Sequence, residues 1–174
     1  MRIVFYGGKQ AGAVGLLALA AAGNSVQFVF AEDEPVRLVA AALGVPSSGP
    51  EKINSEKTEA AIRKLRPDLF VCVHGRKIVG QKVLSIPGHG GINAHPCLSK
   101  YPGASPVERL LADGGRTASV GVHRMTDKVD AGEVLEELFV DVSDCKTVVE
   151  VYNRLYPYYA AAILSAVKKL EKSR

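Results

Sequence analysis

Asn93 and His95 are the residues whose type and spacing most invite chemistry. They lie in Gly91-Ile92-Asn93-Ala94-His95-Pro96, a short, largely apolar run closed by proline. Residues two apart on a strand share a side, so an amide and an imidazole would project into one space. That pair suits acyl transfer, with the amide N–H stabilising an oxyanion and the imidazole moving protons near neutral pH. A structural reading also fits: Asn93 caps a turn and His95 bonds a loop carbonyl. Asp130, in Thr126-Asp127-Lys128-Val129-Asp130-Ala131-Gly132, could orient His95 and stabilise its protonated form, or could be an ordinary turn aspartate. Cys97, two residues past His95, admits a Cys–His nucleophile, although cysteine more often serves as a small buried apolar group. His74, His89, His95 and His123 show no H-x-x-x-H spacing, so no metal site is expected. Tyr152, Tyr156, Tyr158 and Tyr159 read as packing on a final helix.

Gly7-Gly8-Lys9-Gln10-Ala11-Gly12 follows the first apolar run. It matches neither the G-x-G-x-x-G dinucleotide fingerprint nor the G-x-x-x-x-G-K-[ST] phosphate loop. A nicotinamide oxidoreductase is therefore disfavoured. The glycines still allow close backbone approach, and a helix N-terminus behind them favours an anion. The alternative is a plain strand-to-helix turn.

The elements that must position these groups alternate. Residues 2–6 form a strand, and an alanine- and leucine-rich helix runs to about Ala22, stopped by Gly23-Asn24. Val26, Phe28 and Phe30 alternate along a second strand. Asp33 is placed to cap the next helix, which carries Pro35 in its first turn and ends at Gly44. Residues 45–54 are a loop, 55–65 a helix, and Leu69-Phe70-Val71-Cys72-Val73 a strand buried on both faces. A short helix near 79–84 leads into the run with Asn93. Residues 105–113 look helical, and 118–125 and 133–142 form an antiparallel pair. Thr147-Val148-Val149-Glu150 has the capping-box pattern and opens a helix towards residue 171 that Pro157 should kink or break. The expected fold is α/β and Rossmann-like: a mainly parallel twisted sheet with flanking helices and a late antiparallel pair.

The chain of 174 residues suits one domain, 1–174. No apolar run is long enough to span a membrane, and no secretory signal precedes the first strand. Three widely spaced cysteines, Cys72, Cys97 and Cys145, suit free thiols in the cytoplasm. A net charge of +4 with scattered basic residues makes nucleic acid an unlikely partner.

Three motifs together resemble the folate-dependent formyltransferases, the catalytic domain shared by methionyl-tRNA, glycinamide ribonucleotide and sugar N-formyltransferases. They are Asn93-Ala94-His95-Pro96 for N-x-H-P, Leu98-Ser99-Lys100-Tyr101-Pro102-Gly103 for L-x-K-Y-x-G, and Asp130-Ala131-Gly132 for D-x-G, some 35 residues past the histidine. Arg2 to Tyr6 and Pro67 to Val71 look like the family's first strand and its P-D-L-[IV]-V strand. The resemblance runs over nearly the whole chain. It implies direct attack of an amine on the formyl carbon of N10-formyltetrahydrofolate, or its N5-formyl isomer, without a metal. Asn93 would hold the oxyanion, and His95 would shuttle protons. Asp130 would set the charge state of His95 and order a water. Arg76, Lys77, Ile78 and Val79 match the loop that meets the pterin, and Asp127 to Val129 match the opposite wall. Gly8, Lys9, Tyr101 and Gly103 are the candidates for holding the amine substrate.

Three departures bear on the acceptor. The loop after His95 is one residue shorter than the usual form, Pro102 replaces an arginine, and Cys97 stands where serine is common. The chain ends after its last helix, which argues against tRNA, and Gly7 to Gly12 differs from the purine enzyme's G-N-G-S-N loop. The expected acceptor is thus a small-molecule amine, with a nucleotide-linked amino sugar first. A glycinamide ribonucleotide enzyme, a formyltetrahydrofolate hydrolase and a catalytically silent folate-binding module are the alternatives.

Overall fold

The computed structural model describes residues 1–172. A seven-stranded sheet has the order β3-β2-β1-β4-β5-β6-β7. Its strands are β1 (Arg2–Gly7), β2 (Ser25–Ala31), β3 (Ser47–Ser48), β4 (Leu69–Val73), β5 (Gly91–Pro96), β6 (Thr117–Arg124) and β7 (Val134–Asp141). The helices are α1 (Lys9–Ala21), α2 (Glu34–Ala42), α3 (Glu56–Leu65), α4 (Gln81–Leu84), α5 (Pro106–Ala112) and α6 (Val148–Lys172). β3, β2, β1, β4 and β5 run parallel, as strands separated by helical crossovers should. The antiparallel part is larger than the expected pair, because β6 pairs antiparallel with both β5 and β7.

Alternation along the central strands divides the core. Ile3, Phe5, Val71, Val73, Ile92 and Ala94 face α1, α2, α5 and α6. Val4, Tyr6, Phe70 and Cys72 face the layer of α3 and α4 with Ile53, Ile62 and Val83. Burial on both faces explains why β4 is a continuous apolar run.

Three local expectations are corrected. The loop 45–54 holds the two-residue strand β3, paired with Val29 and Phe30. Its serines carry no apolar alternation that would have announced it. Of the kink or break expected at Pro157, the break does not occur: α6 continues through it; its buried face, from Val151 to Leu170, holds both halves against the sheet, and packing outweighs one missing N–H. Asp33 precedes α2 but makes no side-chain cap there; its carboxylate turns to α1 instead. The capping box at Thr147 forms, with Glu150 N–H on Thr147 Oγ1 at 3.2 Å and Thr147 N–H on Glu150 Oε2 at 3.1 Å.

Candidate active site

The carboxyl ends of β1, β4 and β5 open into a cleft of about 520 Å³. Chain order reverses between β1 and β4, the kind of switch point where open α/β sheets bind ligands. Asn93 and His95, two apart on β5, both line this cleft.

Asp130 is the hub of the site. Its Oδ2 lies 3.3 Å from His95 Nε2 and accepts the Gly103 N–H at 2.9 Å. Its Oδ1 lies 3.3 Å from His123 Nε2 and accepts from Asn93 Nδ2 at 3.5 Å. The side chain is 8% exposed. The hydrogen bond with His123 holds this carboxyl below its ordinary range against the opposing effect of burial, helped by the His95 charge and the Gly103 amide. The Asp130 backbone has φ of 51°, a left-handed value that aspartate tolerates better than most residues. Each His95 nitrogen faces oxygen: Nδ1 lies 2.8 Å from Pro96 O and Nε2 3.0 Å from Gly103 O. The ring can therefore donate a proton from either nitrogen.

Two motif glycines acquire a physical reason. Gly103 has φ of 83°, which presents its N–H to Asp130 and its carbonyl to His95. Gly132 passes so close to β6 that an added Cβ would lie 1.9 Å from Arg124 O. That same carbonyl faces His123 Nδ1 at 2.9 Å.

A formyl transferase family model matches residues 2–167. The chain belongs to that family. A methionyl-tRNA formyltransferase of Thermotoga maritima is 32% identical, over 98% of this chain and 59% of that protein. A glycinamide ribonucleotide transformylase structure from Symbiobacterium toebii superposes with TM-score 0.84 at 21% identity, over 100% of this chain and 89% of that one. A phosphoribosylglycinamide formyltransferase structure from Streptococcus pneumoniae TIGR4 gives TM-score 0.78 at 27% identity, over 97% of each chain. The chain spans 44–59% of the length of the curated relatives it matches.

In this formyl transferase chain the loop Arg76, Lys77, Ile78 and Val79 lines the cleft, as do Val129 and Lys128 across from it. Ile78 and Val129 are 72% and 64% exposed, so the cleft carries two apolar side chains open to a ligand. Asp127 is exposed and is not among the lining residues. Lys9 and Gly103 line the cleft, whereas Gly8 and Tyr101 do not. Gly8 is extended and bonded to Val73 O at 3.0 Å, with His74 O 3.0 Å from where its Cβ would be. Tyr101 is 5% exposed and packs in the core, because the left-handed Cys97 (φ 52°) begins a turn closed by Tyr101 N–H on Cys97 O. Cys97 itself is buried, and burial pushes its thiol upward, away from the thiolate a nucleophile needs. Among the described residues no group of three or more His, Cys, Asp or Glu side chains is arranged to hold a metal ion.

The anion expected at the glycine turn is the protein's own. Asp33 Oδ2 accepts the Lys9 N–H at 2.6 Å, the first amide of α1. His123 and Tyr152 were not anticipated as site residues, yet both line the cleft. His123 faces Asn93 across the β5–β6 ladder. That pairing, absent from the linear spacing, is the signal that could have found it. Tyr152 stands against His74, ring centroids 5.5 Å apart, and His74 Nε2 lies 2.6 Å from the hydroxyl of fully buried Tyr159. Burial, with the Lys9 and His95 charges, lowers the His74 pKa to about 4.

Proposed function

We propose that residues 1–174 form one catalytic unit that transfers a formyl group from formyltetrahydrofolate to a primary amine of a small molecule. The convergence of Asn93, His95 and Gly103 on the buried Asp130 at the cleft wall carries this reading. The amine nitrogen attacks the formyl carbon, and the Asn93 amide donates to the oxyanion that develops. His95 takes the amine's proton, and the collapsing intermediate breaks the bond from carbon to the folate nitrogen, which leaves with the proton that His95 gives up. Asp130 orients His95 and stabilises it when charged. The exposed Ile78 and Val129 suit a flat ring between them, and the amides of Ile78 and Val79 have no partner among the described residues. The three cysteines are free and buried, which supports a reducing cytoplasmic setting; no described helix is long and apolar enough to cross a membrane.

A nucleotide-linked amino sugar is the first acceptor to test. Methionyl-tRNA is the second reading, supported by 32% identity to the Thermotoga maritima protein over 98% of this chain. The experiment follows tetrahydrofolate release from N10-formyltetrahydrofolate with amino-sugar nucleotides, glycinamide ribonucleotide, methionyl-tRNA or no acceptor. Asn93→Ala and His95→Ala are run beside the wild type. Acceptor-dependent turnover, reduced about 10²-fold or more in both variants, supports the transferase and names its amine. Turnover without acceptor identifies a hydrolase. Binding of the donor with no turnover on any acceptor refutes the transferase reading.

A further inference from the structure

The loop after β4 is held from behind by side chains that take no part in the proposed chemistry. Arg76 N–H donates to Glu32 Oε1 at 2.9 Å, and Lys77 N–H donates to Tyr6 Oη at 2.9 Å. Tyr6 Oη in turn donates to the same Glu32 oxygen. At the loop's far end the Asn54 side chain bridges two backbone groups. Its Nδ2 donates to Ile78 O at 2.9 Å, and its Oδ1 accepts the Gly80 N–H at 2.7 Å. Tyr6 is wholly buried at the end of β1, and Glu32, just past β2, is fixed by its own N–H on Gly7 O. The loop presses on the Tyr6 ring so closely that a Cβ at Gly75 would lie 2.3 Å from Cε1. Burial and the Glu32 carboxylate both keep the phenol protonated, so it remains a donor.

We propose that Tyr6, Glu32 and Asn54 are positioning residues that clamp the 76–80 backbone into a preformed wall of the cleft and so set the affinity for the formyl donor. This rests on the reading that the donor's ring lies along that loop. Without the clamp, the Arg76, Lys77 and Gly80 amides would turn to water and the wall would sample many shapes. Donor binding would then have to supply the ordering that the side chains now supply in advance. The chemical groups on β5 and at Asp130 would be untouched, so the loss falls on binding and not on the chemical step.

The test measures binding of 5-formyltetrahydrofolate by calorimetry, steady-state kinetics with the formyl donor, and amide hydrogen exchange across 75–80. It uses Glu32→Ala, Glu32→Gln, Tyr6→Phe and Asn54→Ala. Asn54 is exposed, so its variant keeps the test valid should a buried change impair folding. The expected result is a Kd and KM for the donor raised about tenfold in Glu32→Ala and Asn54→Ala, with kcat within about twofold. Glu32→Gln, which keeps the acceptor oxygen, stays within about twofold of wild type, and the Arg76 and Lys77 amides exchange faster in Glu32→Ala. Wild-type binding matched by both alanine variants overturns the clamp, as does a fall in kcat at constant KM. A wild type that binds no formylfolate overturns the donor reading and the positioning role with it, while exchange still reports whether the loop is held.

Discussion

His74 makes stability depend on pH in a way that one substitution should expose. Burial first, then the neighbouring Lys9 and His95 charges, lowers its pKa from 6.5 to about 4. Between those values the unfolded chain binds a proton that the folded chain excludes. Stability from this residue is therefore fully present above pH 6.5 and is lost as the pH falls towards 4. The shift corresponds to about 3 kcal/mol at full protonation and about 2 kcal/mol by pH 5, reduced to about 1–2 kcal/mol by the ring's remaining solvent contact. The perturbation is His74→Asn, because φ of 56° at this position suits asparagine. The variant strands the Tyr159 hydroxyl and should be less stable at pH 7.5 by about 1 kcal/mol. Urea unfolding at pH 7.5, 6, 5 and 4.5 would follow both proteins. The wild type should lose about 1–2 kcal/mol more than the variant between pH 7.5 and 5. Parallel profiles would refute the claim that His74 is held neutral by burial.

Three further outcomes follow from the same geometry. His123→Asn removes the largest influence holding Asp130 low, so the Asp130 pKa should rise and the acid limb of kcat/KM move to higher pH; an unmoved limb would assign His123 a packing role only. Gly132→Ala sets a Cβ 1.9 Å from Arg124 O, so the loop carrying Asp130 must shift; turnover should fall about 10²-fold while the far-UV spectrum is retained, and full activity would show that the close approach is dispensable. Pro157→Ala restores an N–H inside α6 and should stabilise the fold by about 1 kcal/mol, raising Tm by about 2–4 °C in a calorimetric scan; a lower Tm would mean that the proline's geometry is needed for packing.

Elements buried on one or two faces were legible because their patterns are physical consequences of burial. β4 reads as a strand since all five of its residues are buried, and the helix expected over 55–65 is α3. Asn93 and His95 were legible because they sit on one strand, where a spacing of two has one meaning. Tyr101 and His123 were not, for opposite reasons. Tyr101 lies in a motif, but a motif does not tell which way a left-handed turn will send its side chain. His123 lies in no motif, and its nearness to Asp130 depends on the β5–β6 register, which short-range spacing does not encode. β3 is too short and polar to leave any trace.

Asp33 shows how such a misreading bears on function. Read locally, an aspartate before Glu34-Pro35 caps the helix that follows. In the fold its carboxylate reaches the first amide of α1, 24 residues earlier in the chain. Crossing between elements places a negative charge where the glycine turn and the α1 dipole would otherwise welcome an anionic substrate group. A phosphate brought to that helix end would meet the carboxylate at close range, and like charges there oppose each other. In the proposed transferase, an acceptor phosphate would therefore sit away from α1's first amide. An acceptor without phosphate faces no such demand. On the proposed reading, the choice among amines thus turns on where the acceptor carries its charge.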